Sequence, residues 1–342
     1  MNKSRLSLIA ICFSLTANFA HALEYNLGNL GLQLTGESMA GASAPAASDD
    51  FLYDYRIRGQ ASFAVQSGWT LGAVYSIDRL AADSGHFARD AFAYLESDFG
   101  RAELGWTSSV ASKLGLGLPD VGAMRLNDNS FVYDVAPPQV PVITRPMVTG
   151  ARYSFRGNLV SAPNKPFQFG ASFAPSEPHF NSVADMGVKY RLPYGKTKIA
   201  AYAGASFIDS PKGLGTGLYS PRVTADSRSQ IALGLNMQYN SWNIGLTARG
   251  IYDKNPVGPA SDGLQTGAGA SYDFLRFSAS ASYILSDAGI WHEDRDAQTT
   301  HTGVLSLRYK FNEYLDIWTS GGIVASPANG QPFIAAGLHG KF

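Results

Sequence analysis

The sequence predicts an all-β fold: a transmembrane antiparallel β-barrel of about 16 strands. Three observations predict it. Segments near ten residues long alternate apolar and polar side chains, the connections between them alternate long and short, and aromatic rings gather at segment ends. Composition agrees, with 36 glycines, 12% aromatic residues and only 16% charged residues in 342, against the usual quarter charged in a soluble domain.

The period-two pattern is plain in "DYRIRGQASFAV". Tyr55, Ile57, Gly59, Ala61, Phe63 and Val65 share one face, while Asp54, Arg56, Arg58, Gln60 and Ser62 share the other. "SQIALGLNMQY" repeats it, with Ile231, Leu233, Leu235, Met237 and Tyr239 opposite Gln230, Gly234, Asn236 and Gln238. In "LRFSASASYIL", Leu275, Phe277, Ala279, Ala281, Tyr283 and Leu285 oppose Arg276, Ser278, Ser280 and Ser282. Read this way, strands are expected at 23–36, 54–66, 69–80, 88–99, 101–110, 147–156, 166–175, 183–192, 197–208, 227–239, 242–252, 262–273, 274–286, 300–311, 315–325 and 332–342. Strands of this length cross a bilayer obliquely.

The connections add independent information. Met39 to Phe51 is long, Ser67-Gly68 short, Ala82 to Phe87 longer, and Gly100 stands alone; Pro211 to Asp226 precedes Asn240-Ser241, and Ser286 to Thr299 precedes Asn312 to Tyr314. Long loops on one side and tight turns on the other belong to an outer-membrane barrel, whose turns face the periplasm. A secreted soluble β domain, the competing reading, has no reason to sort its loops, nor to place Tyr55, Trp69, Trp106, Tyr239, Trp242 and Tyr272 at strand ends.

Residues 1–22 read as a secretory signal: Lys3 and Arg5 are basic, Leu6 to Ala20 is largely apolar, and Ala20-His21-Ala22 is a small-x-small cleavage site. Residues 23–342 then form one barrel domain. The single cysteine, Cys12, falls in the leader behind bulky Ile11, so neither a lipid anchor nor a disulfide framework nor a cysteine-based zinc site is expected. Taking Lys3 and Arg5 from 27 basic residues leaves 25 against 27 acidic, a balance that argues against a nucleic-acid partner.

One segment breaks the rhythm. "VASKLGLGLPDVGAMRLNDNSFVYDVAPPQVPVITRP", residues 110–146, hardly alternates, and a connection of that length needs a purpose. A constriction loop folded into the lumen, packing Leu114, Leu116, Leu118 and Phe131, would supply one.

Here the chain resembles the general porins of Gram-negative outer membranes. "DAFAYLESDFGRAELGW" (Asp90 to Trp106) is similar to the hairpin preceding that family's constriction loop, and "VTGARYSF" with "FQFGASF" to the strands that follow it. The terminal Phe342 is similar to the carboxy-terminal signal read by the outer-membrane assembly machinery. The resemblance implies a homotrimer of sixteen-stranded barrels, each a water-filled pore for small hydrophilic solutes narrowed by its third extracellular loop. It also implies basic wall residues facing loop acids. Arg56 stands where the family's second-strand arginine does, Arg152 matches on the sixth strand, and Asp120 and Asp128 are the candidate acids. The chain departs from the family in "LGW" at Trp106, where relatives carry arginine. Its loop holds no acidic cluster, with Asp120, Asp128 and Asp134 set against Lys113, Arg125 and Arg145.

Parity sends Arg56, Arg58, Arg101, Arg152, Arg249, Arg276 and Arg308 to the lumen, together with Glu103, Asp185, Lys189, Arg191, Lys198 and Lys310. Such a wall favours anions, unless these charges pair with loop carboxylates and the pore discriminates little. "HEDRD" at His292 to Asp296 reads as a solvated outer loop, or as a place where divalent cations bridge lipopolysaccharide. Catalysis needs a nucleophile, base and orienting group at one depth, and the mature histidines, His86, His179, His292, His301 and His339, show none in sequence. No cofactor or metal is expected. A solute-specific channel remains the alternative, with Phe92, Tyr94, Tyr202 and Trp318 pointing inward.

Overall fold

The computed structural model describes residues 23–44, 51–65, 68–78, 90–121, 153–175, 181–209, 226–254, 261–287, 299–325 and 330–341. Their strands, in chain order, are β1 (Leu23–Leu27), β2 (Leu30–Ala44), β3 (Phe51–Val65), β4 (Trp69–Asp78), β5 (Asp90–Ser97), β6 (Gly100–Ser108), β7 (Tyr153–Ser161), β8 (Phe167–Ala174) and β9 (Ser182–Tyr194). There follow β10 (Thr197–Asp209), β11 (Ser227–Tyr239), β12 (Trp242–Lys254), β13 (Ser261–Phe274), β14 (Phe277–Asp287), β15 (Thr299–Lys310), β16 (Leu315–Ala325) and β17 (Gly330–Lys341). One short helix, α1 (Val110–Leu114), follows β6.

Each strand from β2 to β17 pairs antiparallel with the next, and β17 returns to β2 from Ile334↔Ala44 to Lys341↔Glu37. The ring is therefore closed with sixteen members. Among the described residues every strand of the ring thus has a partner on both sides, the condition for a sheet to sit in hydrocarbon.

β1 is the seventeenth segment, and it corrects the single strand expected at 23–36. Gly28 takes φ +58, a left-handed conformation that glycine adopts freely, and turns the chain into a hairpin. β1 then pairs with the first residues of β2, Leu23↔Leu34 to Leu27↔Leu30, along the edge that β17 occupies further up. β17 and β1 thus lie end to end beside one strand. Two other boundaries also move: β2 continues to Ala44 where a loop was expected from Met39, and the strand expected at 147–156 is found at Tyr153–Ser161.

Side chains sort by parity as a membrane barrel requires. Ile231, Leu233 and Leu235 on β11 are exposed on the outside, while Arg228, Gln230 and Ala232 are buried within. Rings gather outside near the short turns: Trp242 and Tyr272 have centroids 4.7 Å apart, Phe277 and Tyr309 4.8 Å, and Tyr309 meets Phe311 edge-on at 5.0 Å. This is an interfacial girdle. No helix among the described residues is long and apolar enough to cross a membrane.

Candidate constriction site

The interior is organised by the segment after β6. Ser109 caps α1, its hydroxyl accepting from the Ser112 amide at 3.1 Å, and the helix stops after one turn where "LGLGL" begins. From Leu114 to Leu118 burial alternates with period two: Leu114, Leu116 and Leu118 are buried against the wall, while Gly115 and Gly117 are half-buried on the other side. The alternation ends at Pro119, which is buried as well, and half-buried Asp120 turns to the wall at β14. The wall beneath is apolar here: Val183, Tyr202, Ile208, Ala174 and Ala232 form one buried cluster with Val110, Ala111, Leu114 and Leu116.

Hydrogen bonds pin this segment along a third of the ring. Tyr202 on β10 donates to the Ala111 carbonyl at 3.0 Å, and Asn236 on β11 donates to the Gly117 carbonyl at 3.2 Å. On β14, Ser282 donates to the Pro119 carbonyl at 3.3 Å, Ser280 donates to Asp120 at 3.2 Å, and the Val121 amide donates to Ser280 at 3.1 Å. The expected inward fold of the loop thus holds over its described part, Val110 to Val121; Phe131 lies outside the described residues.

The wall makes room for it with glycines. A Cβ added at Gly234 on β11 would lie 3.0 Å from the Leu116 Cβ, one at Gly267 on β13 2.9 Å from Leu118 Cδ1, and one at Gly245 on β12 would collide with the Pro119 ring. Gly187 on β9 lies under α1, where an added Cβ would be 3.5 Å from the Ala111 Cα. Glycine in a strand interior weakens the sheet and marks a close approach; here what approaches is the loop.

At its start the loop is tied to a buried ion pair. Asp185 on β9 accepts from the Ala111 amide at 2.9 Å, and its other oxygen pairs with the Arg156 guanidinium at 3.1 Å and accepts from the Ser172 hydroxyl. Arg156 is wholly buried. Lys113 of α1 reaches back to Glu103 and to the Thr107 hydroxyl at 2.9 Å. Burial pushes its ammonium below the usual lysine range, and Glu103 beside it opposes that shift. Glu103 also accepts from Asn158 at 2.8 Å and meets Arg101 Nε at 3.3 Å, while the Arg101 guanidinium lies 3.7 Å from the Tyr94 ring centroid.

Of the residues expected at the constriction, Arg56 and Arg58 face inward on β3, Arg56 paired with Glu37 at 3.1 Å. Arg101 faces inward on β6. Arg249 is buried on the inner wall of β12, 2% exposed, as Arg228 is on β11. Asp120 sits against β14. Arg276 is a correction: it lies exposed in the two-residue turn between β13 and β14, where the chain reverses before inward parity resumes at Ser278. Arg152, Asp128 and Asp134 lie outside the described residues. Sequence reading gave no role to Arg156 and none to the Asp185 tether. The signal for the first was present in "RYSFRGN", whose two arginines share a parity.

A closed sheet with a polar interior and a loop lying within it defines a membrane channel. The particular family is shown by sequence: a profile of the Gram-negative porins matches residues 7–321, and the chain belongs to that family. It is an outer-membrane barrel through which small hydrophilic solutes diffuse passively. No curated protein matches it in sequence. Among solved structures it is similar to a loop-deletion mutant of OmpT, an outer-membrane protein of Vibrio cholerae (TM-score 0.69, 13% identity, covering 92% of this chain and 100% of that one). It is also similar to an anion-selective porin from Comamonas acidovorans (0.67, 13%, 92% and 100%) and to a trimer form of the Vibrio OmpT (0.64, 12%, 92% and 99%).

Proposed function

We propose that this porin is a loop-narrowed sieve biased toward anions. The observation that carries the reading is the position of Arg56 and Arg58 on β3, half the ring away from β11, where the loop is seated. Solutes therefore pass between a guanidinium wall and a loop edge made largely of Gly115 and Gly117, with Asp120 at its far end. In a narrow lumen such charges act at short range, each interaction near 1 kcal/mol when hydrated. Replacing both, Arg56→Gln and Arg58→Gln, is expected to lower the anion-to-cation permeability ratio by a factor of about two to five. Reversal potential across a planar bilayer in a salt gradient measures it; an unchanged ratio removes the arginine wall from the mechanism.

The reading needs no reaction. His339 lies between Asp316, 3.6 Å from its Nδ1, and Glu37, 3.7 Å from its Nε2, so both ring nitrogens face carboxylates rather than a nucleophilic hydroxyl. This supports a channel over an enzyme. A solute-specific channel is less well supported, since Phe92 and Tyr94 pack with Val74 and under Arg101, while Tyr202 is covered by the loop. That arrangement leaves these rings no shared open face.

Two further parts of the reading concern maturation. The chain is cut after Ala22, so that the new amino terminus at Leu23, paired with Leu34, follows the carboxyl end of β17, paired with Glu37, along one edge. Three mature copies associate through the outer face of β3 to β5, where Gly59, Ala61, Ala73, Ala91 and Ala93 surround an apolar recess of about 1040 Å³; side chains this small let a second barrel approach closely. Phe342 is read by the assembly machinery, and lipopolysaccharide surrounds the long loops. Native mass spectrometry of detergent-extracted protein is expected to give three copies of residues 23–342. Uncut chains or single copies would reject the corresponding half.

A further inference from the structure

Below the loop, on the side of the short turns, the lumen wall holds a second feature that sieving does not use. The turn from Ala162 to Pro166 folds across the ends of β9 and β10: the Arg191 amide donates to the Pro166 carbonyl at 2.8 Å, and its guanidinium to the Pro163 carbonyl at 3.0 Å. Between this turn and the inner faces of β9 to β12 lies a cavity of about 510 Å³. Its polar side chains are the cations Lys165, Arg191 and Lys198 and the amides Asn164, Asn236, Gln238 and Asn243. None is a carboxylate, and no ion pair among the described residues draws on the three cations. Asp273 on β13 accepts from Ser278 and stands outside the cavity lining.

We propose that this cavity is an oxyanion-binding subsite at the periplasmic mouth, taking a compact polyanion that carries phosphate or several carboxylates. The physical case is donor chemistry. Every ionised group in the lining is a donor, and the amides can each turn an N–H toward an acceptor. Arg191 has donors left beyond the one spent on Pro163, in a fork that matches an oxyanion. Three uncompensated cations around one space repel each other, and a polyanion relieves that repulsion; a cation entering the same space adds to it. An anion that has passed the Arg56 and Arg58 wall would then meet a second station before leaving, which raises its local concentration on the far side of the narrowing.

The subsite is distinct from the constriction, so binding is tested apart from conduction. Isothermal titration of the folded full-length protein in detergent with pyrophosphate, and separately with citrate, at low ionic strength is the measurement. Saturable binding is expected for the wild type, at least tenfold weaker in the double variant Arg191→Gln with Lys198→Gln and unchanged in the double variant Arg56→Gln with Arg58→Gln. Should loss of Arg191 disturb the 162–166 turn, Lys165→Gln with Lys198→Gln keeps that hydrogen bond and is expected to weaken binding several-fold. Binding of pyrophosphate alone narrows the class to phosphates, and of citrate alone to carboxylates. No saturable heat from the wild type overturns the proposal, as does loss of binding in the β3 variant with retention in the mouth variants. Because titration needs no open channel, failure here leaves the sieve reading standing. Failure of the sieve reading in the bilayer likewise leaves this one.

Discussion

Substituting Gly234 and Gly245 together by valine is expected to lift the loop off the wall and enlarge the pore. Neither glycine has a positive φ, so a β-branched residue suits their strand backbone and the sheet itself gains propensity. What cannot accommodate the new side chains is the loop: the Leu116 backbone and Cβ lie over Gly234, and the stiff Pro119 ring lies over Gly245. Overpacking of this kind costs about 1–3 kcal/mol per site. The bonds holding Gly117 to Val121 are worth about 1 kcal/mol net each. The two terms are comparable in size, so two substitutions tip the balance toward a displaced loop while the ring stays closed. Single-channel conductance is expected to rise, and liposome swelling to admit oligosaccharides one or two units larger. Conductance at the wild-type level from folded protein would mean that the loop repacks in place and that the glycines do not set the aperture.

That seat shows where sequence reading stops. Alternation, sorted connections and end-of-strand rings are local, and they led to the barrel and to the inward loop. The seat needs register: Gly187, Gly234, Gly245 and Gly267 are far apart in sequence and become neighbours only through the ladders joining β9 to β13. What the sequence does carry is the complementary half, "LGLGL", whose leucines must face a wall and whose glycines must face a space. The errors have equally local causes. The apolar parity switches from Leu23, Tyr25 and Leu27 to Leu30, Leu32 and Leu34 across Gly28-Asn29, a slip that marks the hairpin between β1 and β2 and that a single strand at 23–36 runs over. Leu275-Arg276-Phe277 keeps strand parity through a turn, which placed Arg276 in the wall. Arg156 ends the expected strand 147–156 but lies inside β7, which hides its place in the wall from a reading of that strand alone.

Replacing Asp185 by leucine is expected to cost the most stability of any single change discussed. Arg156 would then keep its charge without the Asp185 carboxylate in a site with no solvent exposure, and removing one member of a buried pair costs about 3–5 kcal/mol. The Ala111 amide would lose its acceptor as well, and a buried unsatisfied donor adds about 1–3 kcal/mol. The effect should appear in urea unfolding followed by tryptophan fluorescence, and as a lower temperature at which the folded band is lost on a gel. The double variant Asp185→Leu with Arg156→Leu separates two explanations. If the cost comes from stranding the guanidinium, the second substitution restores most of the stability, because two apolar residues commonly replace a buried ion pair with little loss. The loop, however, would still lack its tether at Ala111, so the double variant should be stable yet conduct through a less regular pore. A single variant as stable as wild type would show that Arg156 finds another partner, and the tether would then carry neither stability nor aperture.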